Sequence, residues 1–470
     1  MIDGLLRKSP RVLIYSLAAL LFLTFAVPAD AARATDSPSL SVDTYVLPLG
    51  KYKLGETKRN AKAGLSRATA LAAEQSEAQT AHETVGPAAR YAKRETRPSA
   101  LAAPPRAVPS VGARSAAAVV YPEPSRTMTG LECRTALGST EKFYLKSRFA
   151  ICSGASFLQT WLKDGTPVGE SLFDVVVVGT IPLNSRQVQF SYYVLNMKTV
   201  GTTGAAGMGI TLKATLPASW PSNVAYSYGG TPLPATRTWA QFQAANSVTT
   251  TLRAPNGVGS NGSTESIAAV YQPAVSVTAP APWKLGGSTG GNIFMLAPRW
   301  DKASYLANSL KGGAATFSYL GFLYYSKAEG APERAVALHI EKAFKTPGQT
   351  QPPSPTKKVS GQSTDDVLTR LYTDSSRRNR NRAVAVSACV KHFGPKYAEG
   401  GKECDEYPFA ATYQGAAGAE YDVHQLPNNF SVMALNGTEN GNAGNLLGQF
   451  YSKYRVIDGP DDGYLVQITG

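Results

Sequence analysis

Apolar and polar residues alternate along many short stretches in the middle of the chain. Residues 187–194 (QVQFSYYV) place an apolar side chain at every second position, which is the period of a strand with one buried face. Similar runs are separated by Gly, Pro, Asn and Ser, which favour turns. The pattern predicts a β-rich, sandwich-like domain over residues 119–345. Its further predicted strands are residues 173–178, 210–214, 266–271, 293–296 and 316–325.

The tryptophans of this predicted domain allow two interpretations. Exposed aromatic rings can line a carbohydrate groove, which would make cell-wall polysaccharide a partner. Indole rings also fill the core and rim of β-sandwiches. All five tryptophans of the chain fall here: Trp161, Trp220, Trp239, Trp283 and Trp300.

The periodicity changes near the C-terminus. Apolar residues recur at i, i+3, i+4 and i+7 from Val386 to Phe393, and Gly394 follows as a helix stop. This predicts a helix that packs through one face. The predicted elements of a small α+β domain at residues 365–470 are this helix, residues 378–393, and strands at residues 430–435 and 464–468.

Two other segments lack the apolar residues that a core needs, and a third resembles a targeting segment. Residues 32–118 are rich in Ala, Arg, Glu, Pro and Ser, which predicts a disordered segment or pro-segment. Residues 346–364 are dense in Pro, Ser, Thr and Lys and predict a linker. Residues 1–31 combine basic residues, an apolar run and Ala29-Asp30-Ala31, which is typical of a signal peptide. A permanent anchor is the alternative, although the run is shorter than the ~20 residues of a spanning helix.

Secretion into an oxidising compartment would allow the four cysteines to pair. Cys133 lies close to Cys152 in the sequence, and Cys389 lies close to Cys404. We therefore predict one disulfide in each domain, each stabilising its domain by roughly 3 kcal/mol. A zinc site is the alternative, but the chain has no Cys-x-x-Cys pair or nearby pair of histidines to support it.

The net charge of +14 raises the expectation of a polyanionic partner without identifying one. Four arginines at the start of the predicted C-terminal helix could neutralise DNA phosphates. They could equally form a solvated helix face. The four are Arg377, Arg378, Arg380 and Arg382.

Asp405 and Glu406 follow Cys404 directly and are candidate ligands of Mg²⁺ or Mn²⁺. A hard divalent ion held by one or two carboxylates can stabilise the charge that develops when a phosphodiester is hydrolysed. Adjacent side chains of a strand point to opposite faces, however, and the alternative is that one of the two carboxylates holds an arginine.

Asn440 precedes a second amphipathic segment that opens at Ala443 and Gly444. The start of a helix presents free N–H groups that can bind a phosphate, and Asn440 would then orient the scissile group or a metal-bound water. An ordinary N-cap or turn residue is the alternative.

Residues 404–410 (CDEYPFA) resemble the signature of the NucA/NucB-type deoxyribonucleases, a family of secreted bacterial endonucleases. The resemblance covers about residues 368–468, with Cys389 and Asn440 supporting it through order and spacing. It implies metal-dependent cleavage of DNA with little sequence preference. It also makes Asp405 and Glu406 the acidic core of the site and Asn440 a supporting residue.

Gln414 departs from the family pattern, because relatives often carry Glu immediately before the glycine that corresponds to Gly415. A neutral amide cannot accept a proton as a general base does. His424 and Glu439 are candidates for that base. The sequence therefore predicts a secreted, extracellular deoxyribonuclease, with a weakened or inactive nucleic-acid or cell-surface binding protein as the alternative.

Overall fold

The computed structural model of the protein describes residues 38–83, 100–101, 119–138, 143–259, 264–306 and 313–470. The predicted signal peptide lies outside these residues, as does much of the predicted disordered segment. Within the described residues, no helix is long and apolar enough to cross a bilayer.

Strands outnumber helices in the described part of the chain. The strands are β1 Leu40–Pro48, β2 Ala100–Leu101, β3 Phe143–Ser147, β4 Ala150–Lys163, β5 Thr166–Thr180, β6 Gln187–Gly201, β7 Gly209–Trp220, β8 Ser227–Gly230, β9 Ala235–Thr238, β10 Ser247–Arg253, β11 Thr264–Thr278, β12 Lys284–Leu285, β13 Gly290–Asn292, β14 Pro298–Ala303, β15 Ala314–Phe317, β16 Gly321–Ser326, β17 Leu368–Thr369, β18 Lys402–Tyr407, β19 Ser431–Asn436 and β20 Gly463–Thr469. The helices are α1 Glu56–Arg59, α2 Ala61–Glu83, α3 Gly130–Leu137, α4 Trp239–Ala244, α5 Arg334–Lys345, α6 Ser375–Phe393, α7 Gly418–Tyr421 and α8 Gly437–Lys453.

Two large sheets share one apolar core, as the alternating pattern predicts. The first sheet has the order β12-β1-β4-β5-β6-β10-β8, with β3 beside β4 and β2 beside β3. The second has the order β15-β14-β11-β7-β9, with β13 beside β11. The ring of Phe190 in the first sheet stacks on Tyr271 in the second, with 3.6 Å between centroids. Strands β1 to β15 therefore form the sandwich, although residues 293–296, expected to be a strand, are buried without strand pairing.

The tryptophans belong to this core and its edge. Trp161, Trp239 and Trp300 are buried, whereas Trp220 and Trp283 are half-buried. The two cysteine pairs form the predicted disulfides, Cys133–Cys152 and Cys389–Cys404.

Strand β1 differs from the prediction of a disordered or pro-segment at residues 32–118. It pairs with β4 along its whole length and lies inside the first sheet, between β4 and β12. Val42 and Leu47 are completely buried. One strand supplies too few apolar residues to stand out in a long polar segment, and its partners lie more than a hundred residues away.

A third sheet, in the order β16-β20-β17, belongs to the C-terminal part of the chain. The predicted strand at residues 316–325 is in fact two strands, β15 in the sandwich and β16 beside β20. Helix α5 follows β16 and shares an apolar core with α8. We call residues 321–470 the C-terminal module, because its strands and helices begin well before the predicted boundary at 365.

The predicted linker at residues 346–364 packs against this module. The N–H of Val432 in β19 donates to the Gln351 carbonyl at 2.7 Å, and that of Val466 in β20 donates to the Gly361 carbonyl at 2.8 Å. The composition of the segment did not indicate this ordered packing. The contacts are hydrogen bonds of the backbone, which any residue type can form.

Five buried charged residues join the sandwich to the C-terminal module, and we call them the interface cluster. Arg148 and Arg299 of the sandwich contact Asp462 of the module at 2.6 and 2.9 Å. Arg455 of the module donates from Nε to Asp301 of the sandwich at 3.0 Å. Removing one partner of a buried ion pair typically costs 3–5 kcal/mol, so this cluster fixes the two parts together.

Candidate active site

The hairpin of β18 and β19 carries the acidic residues and has helices on both faces. The Cys389–Cys404 disulfide joins β18 to α6 on one face. His339 of α5 contacts Asp405 on the other face. Because successive strand residues point to opposite faces, Glu406 lies on the α6 side and Asp405 on the α5 side. The predicted acidic pair therefore does not converge on one ion.

Asp405 is 6% exposed and is bound by a histidine from outside the predicted domain. His339 Nδ1 lies 2.5 Å from Asp405 Oδ2, and His339 Nε2 lies 2.7 Å from Ser431 Oγ. The imidazole thus contacts a carboxylate through Nδ1 and a serine hydroxyl through Nε2, as in the Ser-His-Asp triad of hydrolytic enzymes. Ser431 is completely buried, however, so it cannot act as the nucleophile and instead holds the imidazole in place.

Glu406 is bound by an arginine. Arg382 Nη1 lies 3.0 and 3.1 Å from the two carboxylate oxygens of Glu406. Burial raises the pKa of Glu406 to about 7, Arg382 opposes this shift, and the charge of Asp405 adds to it. The alternative in which one carboxylate holds an arginine is therefore the arrangement that the structure has.

Asn440 lies in the first turn of α8 rather than before it. Asn436 caps this helix, its side chain accepting from the N–H groups of Thr438 and Glu439. Asn440 Nδ2 donates to Glu403 Oε2 at 2.8 Å. Glu403 is two residues from Asp405 in β18, so both side chains point to the same face. Glu403, which was not among the predicted site residues, thus connects Asn440 to the face that carries Asp405.

The remaining candidates for a general base have other contacts. Glu439 Oε1 accepts from the N–H of Ala335 at 3.1 Å and so caps the start of α5. Gln414 exchanges hydrogen bonds with Thr369 of β17. His424 is exposed, and its backbone N–H donates to Asp422. None of these contacts brings Glu439, Gln414 or His424 to Asp405.

The four predicted arginines lie at the start of α6. The helix predicted at residues 378–393 is confirmed. Asp374 caps it by accepting from the N–H of Arg377 at 2.8 Å, which moves its start to Ser375. Arg380 pairs with Glu420 at 2.7 Å. Arg377 and Arg378 lie against tyrosine rings, whose closest centroids are 4.5 and 5.1 Å away. With Arg382 bound to Glu406, two of the four charges are offset by carboxylates.

Asn381 fixes the loop that follows β18. Its buried amide donates to the carbonyls of Ala410 and Thr412 and accepts from the N–H of Ala417. A Cβ on Gly415 would lie 2.3 Å from the Asn381 amide nitrogen, so only glycine fits there. These contacts hold the end of the acidic strand against α6.

The side chains on the α5 face of β18 include oxygen donors of the kind that hard divalent ions prefer. Asp405, Glu403 and Asn440 offer carboxylate and amide oxygens, which Mg²⁺ and Mn²⁺ prefer. Among the described residues, no group of three or more His, Cys, Asp or Glu side chains is arranged to hold a metal. An ion here would be bound by one or two carboxylates and water, as Mg²⁺ often is.

His339 was not among the predicted site residues, because it lies in a different predicted domain. A signal was nonetheless present, since the buried face of α5 contains Val336, Ala337, Ile340 and Ala343 and places a histidine among them. A polar ring on such a face needs hydrogen-bond partners. Its partners, Asp405 and Ser431, are 66 and 92 residues away and could not be read from spacing.

Comparison with known proteins agrees with the resemblance of residues 404–410. Residues 356–463 match the family model described as deoxyribonuclease NucA/NucB. This segment contains the acidic strand, α6 and α8, but it begins after His339. The comparison with curated proteins finds no match to the chain. The C-terminal module therefore contains a NucA/NucB-type deoxyribonuclease domain.

Proposed function

We propose that this protein is a secreted, metal-dependent endonuclease that hydrolyses DNA phosphodiester bonds with little sequence preference. The family match supplies the reaction and the substrate class. The observation that carries the proposal is the environment of Asp405. His339 binds one of its carboxylate oxygens, on the face of β18 where Glu403 and Asn440 meet.

Asp405, Glu403 and Asn440 are the residues that would hold Mg²⁺ or Mn²⁺. Such an ion, when bound, stabilises negative charge on the phosphate oxygens and activates water. Asp405 offers Oδ1, because Oδ2 is bound to His339. Asn440 offers its amide oxygen, because its nitrogen is bound to Glu403. The surrounding contacts thus orient one oxygen of each residue.

Arg382 is the residue that we propose to contact the DNA backbone. Its side chain is half-exposed, and its contact with Glu406 uses Nη1. Nε and Nη2 remain outside this contact and can donate to a phosphate. Arg377, Arg378 and Arg380 lie on the same helix and would extend this contact. Phosphate contacts carry no sequence information, which agrees with cleavage at many sequences.

Secretion is supported by the predicted signal peptide and by the two disulfides. Disulfides form and persist mainly in oxidising compartments. The described cysteines are all paired.

Incubation of the full chain with supercoiled plasmid tests the proposed function. We expect nicked and linear products in Mg²⁺ or Mn²⁺, and no products in EDTA. The Asp405→Ala variant should be inactive, which excludes a contaminating nuclease. Cleavage that persists in EDTA, or that is unchanged in the variant, would contradict the proposal.

The second candidate is a protein that binds DNA without cleaving it. The 6% exposure of both Asp405 and Glu406 favours this alternative, because the ion and the phosphate must reach a nearly closed face. Electrophoretic mobility shifts of DNA by the wild type, without cleavage in any metal, would support it.

A further inference from the structure

We infer that His339 is a positioning residue for the reaction and that α5 is part of the catalytic unit. This inference rests on the proposed function. It goes beyond the family match, because residues 356–463 begin after α5. A contact between α5 and the acidic strand exists only in the folded chain.

The hydrogen bonds of His339 fix its ring from both sides. The residue is 2% exposed, and a buried polar group needs its hydrogen bonds satisfied. An ionised carboxylate only accepts, so Nδ1 donates to Asp405. The Ser431 hydroxyl can donate or accept, so its contact with Nε2 suits either charge state of the ring. The ring is therefore held between β18 and β19.

This arrangement leaves the two oxygens of Asp405 unequal. Oδ2 lies 2.5 Å from His339, and within the described part of the chain no other side chain bonds to this carboxylate. Rotation of the carboxylate would break that contact. Oδ1 is therefore the oxygen through which Asp405 would contact an ion. Mutation of residues that hydrogen-bond to metal ligands in this way typically lowers metal affinity or activity by 10–100-fold.

Helix α5 is held in place independently of His339. Glu439 accepts a hydrogen bond from the N–H of Ala335 at the start of α5, and Asn442 Nδ2 donates to the Pro332 carbonyl at 3.1 Å. The ring of Phe344 packs edge-on against Tyr407, with 5.3 Å between centroids. A substitution at position 339 should therefore leave the helix in position.

Three variants of the full chain separate positioning from folding. His339→Leu removes both hydrogen bonds, whereas His339→Asn keeps a donor near the position of Nδ1. Ser431→Ala removes only the second anchor. Glu341→Gln, on the same helix and outside the site, is the matched control. The readouts are kcat and KM for plasmid DNA, thermal unfolding, and Mn²⁺ affinity of the DNA-free protein by calorimetry.

We expect His339→Leu to lower kcat about 100-fold, to weaken Mn²⁺ binding about tenfold, and to change KM less than about threefold. The kcat of His339→Asn should be about tenfold higher than that of His339→Leu. Ser431→Ala should have a smaller effect, and Glu341→Gln none. Normal kcat and Mn²⁺ affinity in a folded His339→Leu variant would overturn the inference. A loss of activity that only follows a loss of folded protein would also overturn it.

The Mn²⁺ measurement distinguishes this inference from the proposed function. If the wild type binds Mn²⁺ but does not cut DNA, the proposed function fails. Weaker Mn²⁺ binding by His339→Leu would then still support positioning of Asp405. If the wild type does not bind Mn²⁺ at all, both fail.

Discussion

Two groups of buried carboxylates in this protein, one in the interface cluster and one at the candidate site, have different partners. In the interface cluster, Asp301 and Asp462 each contact arginine through both oxygens. Burial alone would raise the pKa of Asp462, but Arg148 and Arg299 outweigh it and the pKa is lowered. At the candidate site, Asp405 has one histidine on one oxygen, and the pKa of Glu406 is raised.

The difference in partners separates carboxylates that stabilise the fold from carboxylates that remain available for the reaction. Asp301 and Asp462 are each paired with two arginines, whereas Glu406 is paired with one arginine and Asp405 with a histidine. A nearly buried carboxylate with fewer partners is less stable than one that is fully paired with arginine. Such groups are concentrated at functional sites. We therefore expect substitutions in the interface cluster to affect stability, and substitutions at the candidate site to affect activity.

The largest expected effect is the loss of DNA cleavage in Asp405→Asn. The variant keeps the size of the side chain but loses its charge, and we expect plasmid cleavage to fall by about 10³-fold. The midpoint of thermal unfolding should change little. The control is Glu399→Gln, an exposed carboxylate in the same module, which should retain full activity.

The opposite pattern is expected for Asp462→Asn. Arg148 and Arg299 would lose the charge that compensates them inside the interface. We expect the free energy of unfolding, measured with urea, to fall by about 3–5 kcal/mol, while cleavage per folded molecule is retained. The neighbouring Asp461 is exposed, and Asp461→Asn should change stability by less than about 0.5 kcal/mol. Equal effects of the two variants would contradict the structural role of the cluster.

Glu406 should make stability depend on pH. Its pKa of about 7 in the folded protein lies above its ordinary value of 4.5, so proton binding favours the folded state. Its contribution is complete below pH 4.5 and is lost as the pH rises through 7. In EDTA, the free energy of unfolding of the wild type minus that of Glu406→Gln should therefore fall by about 3 kcal/mol over this range.

Glu420→Gln is the control for this pH dependence. The hydrogen bond from Arg380 lowers the pKa of Glu420, so the corresponding difference should rise with pH instead. A difference for Glu406→Gln that is constant with pH would show that Glu406 is ionised normally in the folded protein.

The smallest effect is expected for Gln414→Glu. Gln414 is hydrogen-bonded to Thr369, so a carboxylate there should change plasmid cleavage by less than about threefold. An increase of tenfold or more would indicate that this position does contribute to the reaction. That result would favour the alternative of a weakened enzyme.

The C-terminal sequence predicted its own local structure well. Helix α6 and strands β19 and β20 lie where their periodicity placed them, and the Cys389–Cys404 disulfide joins the predicted cysteines. The string at residues 404–410 identified the type of domain. These features depend on neighbouring residues, so a single sequence contains the information.

Boundaries between parts of the fold were harder to predict. The sequence pattern at residues 316–325 is continuous, yet β15 pairs in the sandwich and β16 beside β20. Alternation indicates a strand but does not indicate its sheet. The same limitation applies to β1, whose partners are far away in the chain.

By itself the sequence determined the β-rich character of the middle, the two disulfides, helix α6 and the type of C-terminal domain. Only the tertiary structure decided that Asp405 faces His339, that Glu406 holds Arg382, and that Arg148 and Asp462 join the two parts of the chain. The physical reason is that periodicity and turn residues act over a few positions. Buried charges are instead satisfied by side chains brought together from distant segments.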